Sequence, residues 1–258
     1  MKNKLLLSLL GLTLISGMAK AQDSKAEEIF KKYRFSLFLG PTFNSLRPTA
    51  NATDNYAISK VKGNVGFSFG LGADLNINER YTIYTGLGLD WRGGTISSTY
   101  VPNAAKPNPD PNYLKRADVT YRSQFLTVPI GLKLKAFEVS KIKIFAQTGF
   151  DLGITISNKG DYSVKLSNDT LASTFTTIAS KVKLGKDGFA KMVPFNLGWS
   201  VGVGAEYPVT EKNAVYAALL YRNGFIDNTT PKLNKDGYKF SDGNIRSNTF
   251  AIRVGYFF

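Results

Sequence analysis

The stretch SNTFAIRVGYFF, residues 247–258, decides the fold of this chain. Successive side chains of a β-strand point to opposite faces of the sheet. One face of the stretch is wholly apolar and consists of Phe250, Ile252, Val254, Tyr256 and Phe258. The other face consists of Thr249, Ala251, Arg253, Gly255 and Phe257. This contrast predicts a strand with one face toward lipid and the other toward the lumen of a barrel.

Seven further segments alternate in the same way, at residues 33–43, 65–76, 81–92, 126–134, 142–153, 195–207 and 215–222. The connections between them are alternately long and short. The short turns are 78–80, 137–140 and 208–213, and the long loops are 46–62, 93–122, 157–193 and 224–246. An even number of strands joined in this way is typical of outer-membrane barrels. We therefore predict an all-β fold, an eight-stranded antiparallel up-and-down transmembrane β-barrel over residues 33–258.

A soluble barrel with a ligand cavity is the alternative, but its bulky apolar residues would have to face inward. Its outward face would then be rich in glycine, and its loops would not alternate in length. Two residues fit the membrane barrel poorly. Leu220 falls on the inward face, and Pro129 lacks the amide that a closed sheet requires, so a local bulge is expected there.

The first 21 residues predict a secretory signal peptide that is cleaved after Ala21. Lys2 and Lys4 precede the apolar run 5–15, which is too short to span a hydrocarbon core of about 30 Å. Ala19 and Ala21 form the small-x-small cleavage site. Residues 22–32 are then expected to be a polar periplasmic lead. Export and the strand pattern together predict localisation in the cell outer membrane.

Composition removes several classes of function. The chain has no Cys and no His, which excludes disulfides, thiolate and imidazole chemistry and most zinc sites. We expect no cofactor and no enzymatic activity, and we interpret the loop carboxylates as solvated; they are Asp110, Asp118, Asp161, Asp169 and Asp187. The net charge of +14 favours outer-membrane lipid and lipopolysaccharide as partners, and not nucleic acid.

The inward faces of the predicted strands carry charges of both signs. The acids are Asp74, Asp90, Asp151 and Glu206, and the bases are Arg92, Lys133, Lys143, Arg222 and Arg253. An eight-stranded barrel has an interior just wide enough for side chains to fill. Because an unpaired buried charge is costly, these groups are expected to pair and to close the lumen.

The aromatic end of the last strand has a second expected role. Outer-membrane barrels commonly end on an aromatic strand that the barrel assembly machinery recognises. We therefore expect Tyr256 and Phe258 to form the assembly signal.

Four motifs resemble the Bacteroidetes outer-membrane beta-barrel family often labelled PorT-like. They are NERYTIYTGLGLDWRGG at 78–94, SQFLTVPIGLKLK at 123–135, KIKIFAQTGFDLG at 141–153 and AALLYRNGFIDN at 217–228. OmpA-like barrels share the architecture. The resemblance implies a barrel fold, and one member of the family is implicated in type IX secretion.

Three functions remain open at this point. The first is a non-enzymatic barrel with a structural role or with surface loops that bind an extracellular ligand. The second is a component of a secretion assembly, and the third is a small-solute pore.

The predicted fold has a direct biochemical consequence. A closed sheet satisfies all its backbone polar groups, so such barrels resist detergent. We expect the protein to fractionate with the outer membrane and to migrate differently in detergent gels before and after boiling. Identical migration, with recovery in the soluble periplasm, would contradict the barrel.

Overall fold

The computed structural model describes residues 32–49, 52–53, 56–101, 114–166, 176–183, 193–210, 212–227, 233–235, 238–240 and 245–258. The predicted signal peptide and nearly all of the predicted periplasmic lead lie outside these residues. In the described ranges, no helix is long and apolar enough to cross a membrane.

Eight long antiparallel strands form a closed ring. In order around the ring they are β1 (Tyr33–Pro48), β3 (Tyr56–Asn76), β4 (Tyr81–Tyr100), β5 (Leu114–Val139), β6 (Ile142–Leu166), β8 (Phe195–Pro208), β9 (Ala214–Gly224) and β12 (Ile245–Phe257). Strand β1 pairs with β12 on one side and with β3 on the other, so the ring has no open edge along these pairings. The predicted fold class and the eight barrel strands are confirmed.

Within the described ranges, four short strands lie outside the ring. They are β2 (Ala52–Thr53), β7 (Thr176–Lys183), β10 (Leu233–Lys235) and β11 (Tyr238–Phe240). Strand β2 pairs with β3, β7 pairs with β6, and β10 pairs with β11. All four belong to the long connections, whose end of the barrel we call the outer end; the other end, with the short turns, is the periplasmic end.

Burial follows the alternation in the sequence. In β12 the inward residues are buried from Ile245 to Phe257, and every second residue from Phe250 is exposed. Similar exposed apolar side chains surround the barrel, including Phe35, Leu37, Leu71, Phe150, Leu219 and Val254. Leu220 is 2 % exposed, so the expected inward register of β9 is correct. The barrel thus presents an apolar band outward and keeps its polar residues inside.

Strands β3 to β6 extend further toward the outer end than the sequence predicts. Much of the predicted loops 46–62, 93–122 and 157–193 is strand, with β4 reaching Tyr100 and β5 starting at Leu114. The outward face of these extensions is polar and therefore lacks the apolar alternation that marks a membrane strand. Cross-strand hydroxyl pairs support them instead, such as Thr95 Oγ1 to Thr120 Oγ1 at 2.8 Å.

A bulge in β6 changes which residues face the lumen. Phe125 pairs with Thr155, whereas the neighbouring Gln124 pairs with Ser157, so Ile156 is an extra residue. An extra residue in one strand reverses the faces of the residues that follow it. Asp151 is therefore inward on one side of the bulge, and Asn158 is inward on the other.

The expectation of a bulge at Pro129 is wrong. Pro129 pairs with Asp151 of β6 in an unbroken register. Toward β4, pairing stops at Thr85/Ile130 and resumes at Gly88/Thr127 without a shift. The missing amide is thus accommodated by a local interruption of pairing. The bulges between β5 and β6 lie at other positions.

Val254 tests which face of β12 meets lipid. It is 51 % exposed and pairs with Leu39, near the middle of the apolar run of β1. Because a charge near the bilayer midplane is poorly solvated, we expect Val254→Arg to lower the free energy of unfolding by about 2–4 kcal/mol. Chemical denaturation in lipid vesicles measures the change.

Ser45→Arg is the matched control, since Ser45 is outward on β1 but lies beyond the apolar band. It should cost roughly 0–1 kcal/mol, the value for positions near the interface. An equal cost at both sites would show that Val254 does not face hydrocarbon.

Candidate functional site in the barrel lumen

Eight of the nine predicted lumen charges are buried. Asp74, Asp90, Arg92, Lys133, Asp151, Glu206, Arg222 and Arg253 are each at most 7 % exposed. Lys143 is half-buried at the periplasmic end. Each of them lies on a strand whose neighbouring inward positions are often glycine, and this leaves space for long side chains. For example, a Cβ at Gly131 or Gly149 would come within 2.8 Å of Tyr84.

Asp90 is the centre of a polar cluster in the middle of the lumen. Its carboxylate accepts hydrogen bonds from Arg92 Nη2 at 2.8 Å and from Thr127 Oγ1 at 2.7 Å. Arg222 Nη1 donates to both oxygens, at 3.2 and 3.1 Å. Strands β4, β5 and β9 are thus joined across the lumen. One carboxylate with two guanidinium groups leaves a positive excess that a second acid must offset.

Asp151 supplies that second acid. Its Oδ2 lies 3.4 Å from Arg222 Nε, and the pair is almost fully shielded from solvent. The geometry of the two atoms is not that of a hydrogen bond, and neither atom has a hydrogen-bond partner among the described residues. The contact is therefore an ion pair held by charge alone. Arg222 lies between two carboxylates and holds the cluster together.

A second cluster fills the periplasmic end. Lys133 forms a buried ion pair with Asp74, and Arg34 Nη2 lies 2.7 Å from Glu206 Oε1. Arg34 was not among the predicted lumen charges. Arg34 is at the start of β1, next to the predicted polar lead. It lies between the outward residues Tyr33 and Phe35, and this alternation alone could have identified it as an inward charge. Lys143 is opposite Glu206 in the register, but Glu206 is paired with Arg34.

Aromatic rings cover the cations of this end. The Lys133 ammonium is 4.9 Å from the centroid of Phe145 and 5.1 Å from that of Phe257. The Arg34 guanidinium is 4.0 Å from the Phe257 ring. Arg253 is held in the same way, 3.9 Å from the ring of Phe38. These cation–π contacts partly replace the hydration that the cations lose on burial.

An apolar layer lies inside the barrel at its outer end and was missed in the sequence. Its side chains are inward and at most 7 % exposed; they are Leu46, Ile96, Val119, Tyr121, Tyr162 and Ile245. They lie in or next to segments predicted as loops. A detectable signal was present, since Ala117, Val119 and Tyr121 alternate with polar residues. That alternation was overlooked because its apolar face is inward here, opposite to the membrane strands.

The remaining predicted residues lie at two other places. Tyr256 and Phe258 are outward and 39 % exposed at the periplasmic end, with Phe257 buried between them. Asp118 and Asp161 were expected to be solvated loop residues, and this is wrong. They lie on β5 and β6 and form ion pairs with Arg116 and Arg122. Asp110, Asp169 and Asp187 lie outside the described residues.

Comparison with known proteins identifies the family of the chain. The chain matches a family model described as outer membrane protein beta-barrel domain, over residues 20–229. No curated protein matches it. Among solved structures, it is similar to neisserial surface protein A with 13% identity and a TM-score of 0.34, covering 86% of this chain and 95% of that one.

Two other structures have comparable values. The attachment invasion locus protein Ail of Yersinia pestis is 12% identical, with a TM-score of 0.35 and coverage of 88% and 99%. The outer membrane protein OprG of Pseudomonas aeruginosa is 12% identical, with a TM-score of 0.38 and coverage of 86% and 95%.

Asp90→Asn tests the energetic weight of the central cluster. The substitution keeps the shape of the side chain but leaves Arg92 and Arg222 with one acid between them. Removing one partner of a buried ion pair typically costs about 3–5 kcal/mol. We expect a loss of this size in the free energy of unfolding, measured by denaturation in lipid vesicles.

Asp118→Asn is the control, because the Arg116–Asp118 pair is much more exposed. Exposed pairs contribute about 0–1 kcal/mol. If the losses of unfolding free energy in the two variants differ by less than about 1 kcal/mol, the buried cluster contributes no more to stability than an exposed ion pair does.

Proposed function

Because the chain belongs to the outer membrane protein beta-barrel domain family and lies in the outer membrane, we propose that it is a non-enzymatic barrel with a closed lumen. Its role is then carried by its surfaces. It stabilises the membrane or presents its outer end to an extracellular ligand or partner.

The filled lumen is the observation that carries the proposal. Three layers of buried side chains follow one another along the barrel axis. The Lys133–Asp74 layer lies at the periplasmic end, the Asp90 cluster lies in the middle, and the apolar layer with Ile96 lies at the outer end. Charges bound to each other in such a narrow interior are not available to hydrated solutes. The layers therefore support a plug over a pore.

The state of the lumen carboxylates supports a non-enzymatic role. A general base needs an accessible carboxylate that can accept a proton from a substrate. Asp90 instead accepts hydrogen bonds from two arginines and a threonine. Asp74 and Glu206 are each paired with a cation. The chain also lacks His and Cys, the commonest partners in nucleophilic catalysis.

The outer end supports a binding role. Strands β3 to β6 rise beyond the shorter strands on the other side of the ring, and β7 adds to them. Their outward faces carry hydroxyl, amide and charged groups. A polar sheet raised above a membrane is a suitable surface for contact with sugars, lipid headgroups or a protein.

The resemblance to the PorT-like family makes a secretion role the second candidate. Affinity purification from chemically crosslinked outer membranes separates the two functions. Recovery of a stoichiometric secretion partner would favour an assembly component. Recovery of assembly machinery alone, together with lipid, would favour the surface barrel.

Conductance tests the closed lumen. We expect the purified protein to give no steady single-channel steps in planar bilayers, because three layers obstruct the interior. A variant with shortened long loops should stay silent as well, since the plug is made by the strands. Steady steps whose ion selectivity inverts on Arg222→Glu would overturn the plug and favour a small-solute pore.

A further inference from the structure

A hollow of about 320 Å³ lies in the outward wall of the barrel, where the apolar band meets the polar outer end. Its lining includes Val65, Trp91, Gln124, Arg122 and Lys159. The pairing of β3 with β4 is irregular between Gly63/Gly94 and Ser68/Asp90, and this opens the wall at that point. Its lining also includes the inward residues Arg92 and Ser123, whereas the residues named above lie on the outward face of the barrel.

Two cations face each other directly at the upper side of the hollow. Arg122 of β5 and Lys159 of β6 are cross-strand partners. Like charges at directly opposite positions destabilise a sheet. The Arg122–Lys159 pair therefore makes a local positive charge on the outward face that the pairing of β5 with β6 does not require.

Asp161 offsets only part of this charge. Its carboxylate forms an ion pair with Arg122 and accepts a hydrogen bond from Ser180 at 3.4 Å. The Arg122 side chain nevertheless remains 51 % exposed. A guanidinium has five N–H donors in a planar fork, so Arg122 can bind an anion while it keeps Asp161. The Lys159 side chain is exposed beside it.

The lower side of the hollow is apolar and faces the membrane. Trp91 stacks on Phe69, with 5.7 Å between the ring centroids, and Val65 is 69 % exposed. Trp91, Gln124 and Ser157 are cross-strand partners in one row, and Gly93, Arg122 and Lys159 form the next outward row toward the outer end. Along the strands, apolar and uncharged polar groups are therefore followed by the two cations. In a phosphorylated glycolipid of the outer leaflet, acyl chains and sugar likewise lie beside a phosphate.

We propose that this hollow binds a phosphorylated glycolipid of the outer leaflet. Arg122 and Lys159 hold its phosphate by charge-assisted hydrogen bonds. Gln124 and Ser157 contact its sugar, and Val65, Trp91 and Phe69 contact its acyl chains. The proposed contacts lie on the outward wall, next to Arg92 of the central lumen cluster.

Binding can be followed through Trp91, because the chain has only two tryptophans and the other is Trp199. In a Trp199→Phe background, all tryptophan fluorescence comes from Trp91 at the hollow. The refolded full chain in uncharged micelles is titrated with diphosphoryl lipid A. Dephosphorylated lipid A with the same acyl chains and inorganic phosphate are the comparison probes.

The double variant Arg122→Gln/Lys159→Gln should bind diphosphoryl lipid A at least about tenfold more weakly, because it removes two charge-assisted contacts to the phosphate. Lys141→Gln/Lys212→Gln is the matched control. It removes the same charge from two exposed lysines of periplasmic turns and should leave binding unchanged. Heat-modifiable migration verifies that each variant is folded.

Asp161→Asn gives a readout in the opposite direction. It releases Arg122 from its internal partner, so binding of diphosphoryl lipid A should become tighter. A role of Asp161 in structure alone would weaken binding instead.

Three results would overturn the proposal. The first is equal affinity of the Arg122/Lys159 variant and the control. The second is equal affinity of the native sequence for phosphorylated and dephosphorylated lipid A. The third is binding of inorganic phosphate as tightly as of the lipid, which would refute a lipid site.

Discussion

In hydrocarbon, each backbone N–H and C=O must find a partner inside the protein, because no water is available there. The whole structure depends on this constraint. It requires β1 to pair with both β12 and β3, so that the sheet closes on itself. It also explains how two prolines are tolerated. At Pro41 and Pro129 the pairing with one neighbour is interrupted without a shift, so the register on both sides survives.

Closure with only eight strands makes the interior narrow, and the narrow interior determines its chemistry. Inward charges have lost most of their water, so they have to pair with each other or lie against aromatic rings. Asp90 joins Arg92 and Arg222, and Lys133 lies between Asp74 and the Phe145 and Phe257 rings. The proposed binding roles accordingly involve the outward wall and the outer end, where the same strands present cations and polar groups to the surroundings.

The correct and the wrong predictions have a common physical cause. Segments in lipid alternate between apolar and small or polar residues, and this contrast made all eight strands and the inward charges visible. Above the membrane the outward face meets water, so Thr95, Thr120 and Asp161 replace the apolar residues. Strands there look like loops in the sequence, although their hydrogen-bonded pairing is continuous with the barrel. Ile96 and Tyr121 were missed for this reason.

The sequence by itself determined the fold class, the strand count and the side of each strand on which Asp90, Lys133 or Arg222 lies, because side-chain alternation is a local property. Only the tertiary structure decided which of these charges meet. Pairing across the lumen depends on the stagger of strands that are far apart in the chain, as Asp90 and Arg222 are. The same holds for the bulge at Ile156, which aligns Arg122 with Lys159. One extra residue in β6 sets that register, and the alternation of a single strand does not reveal which partner it will face.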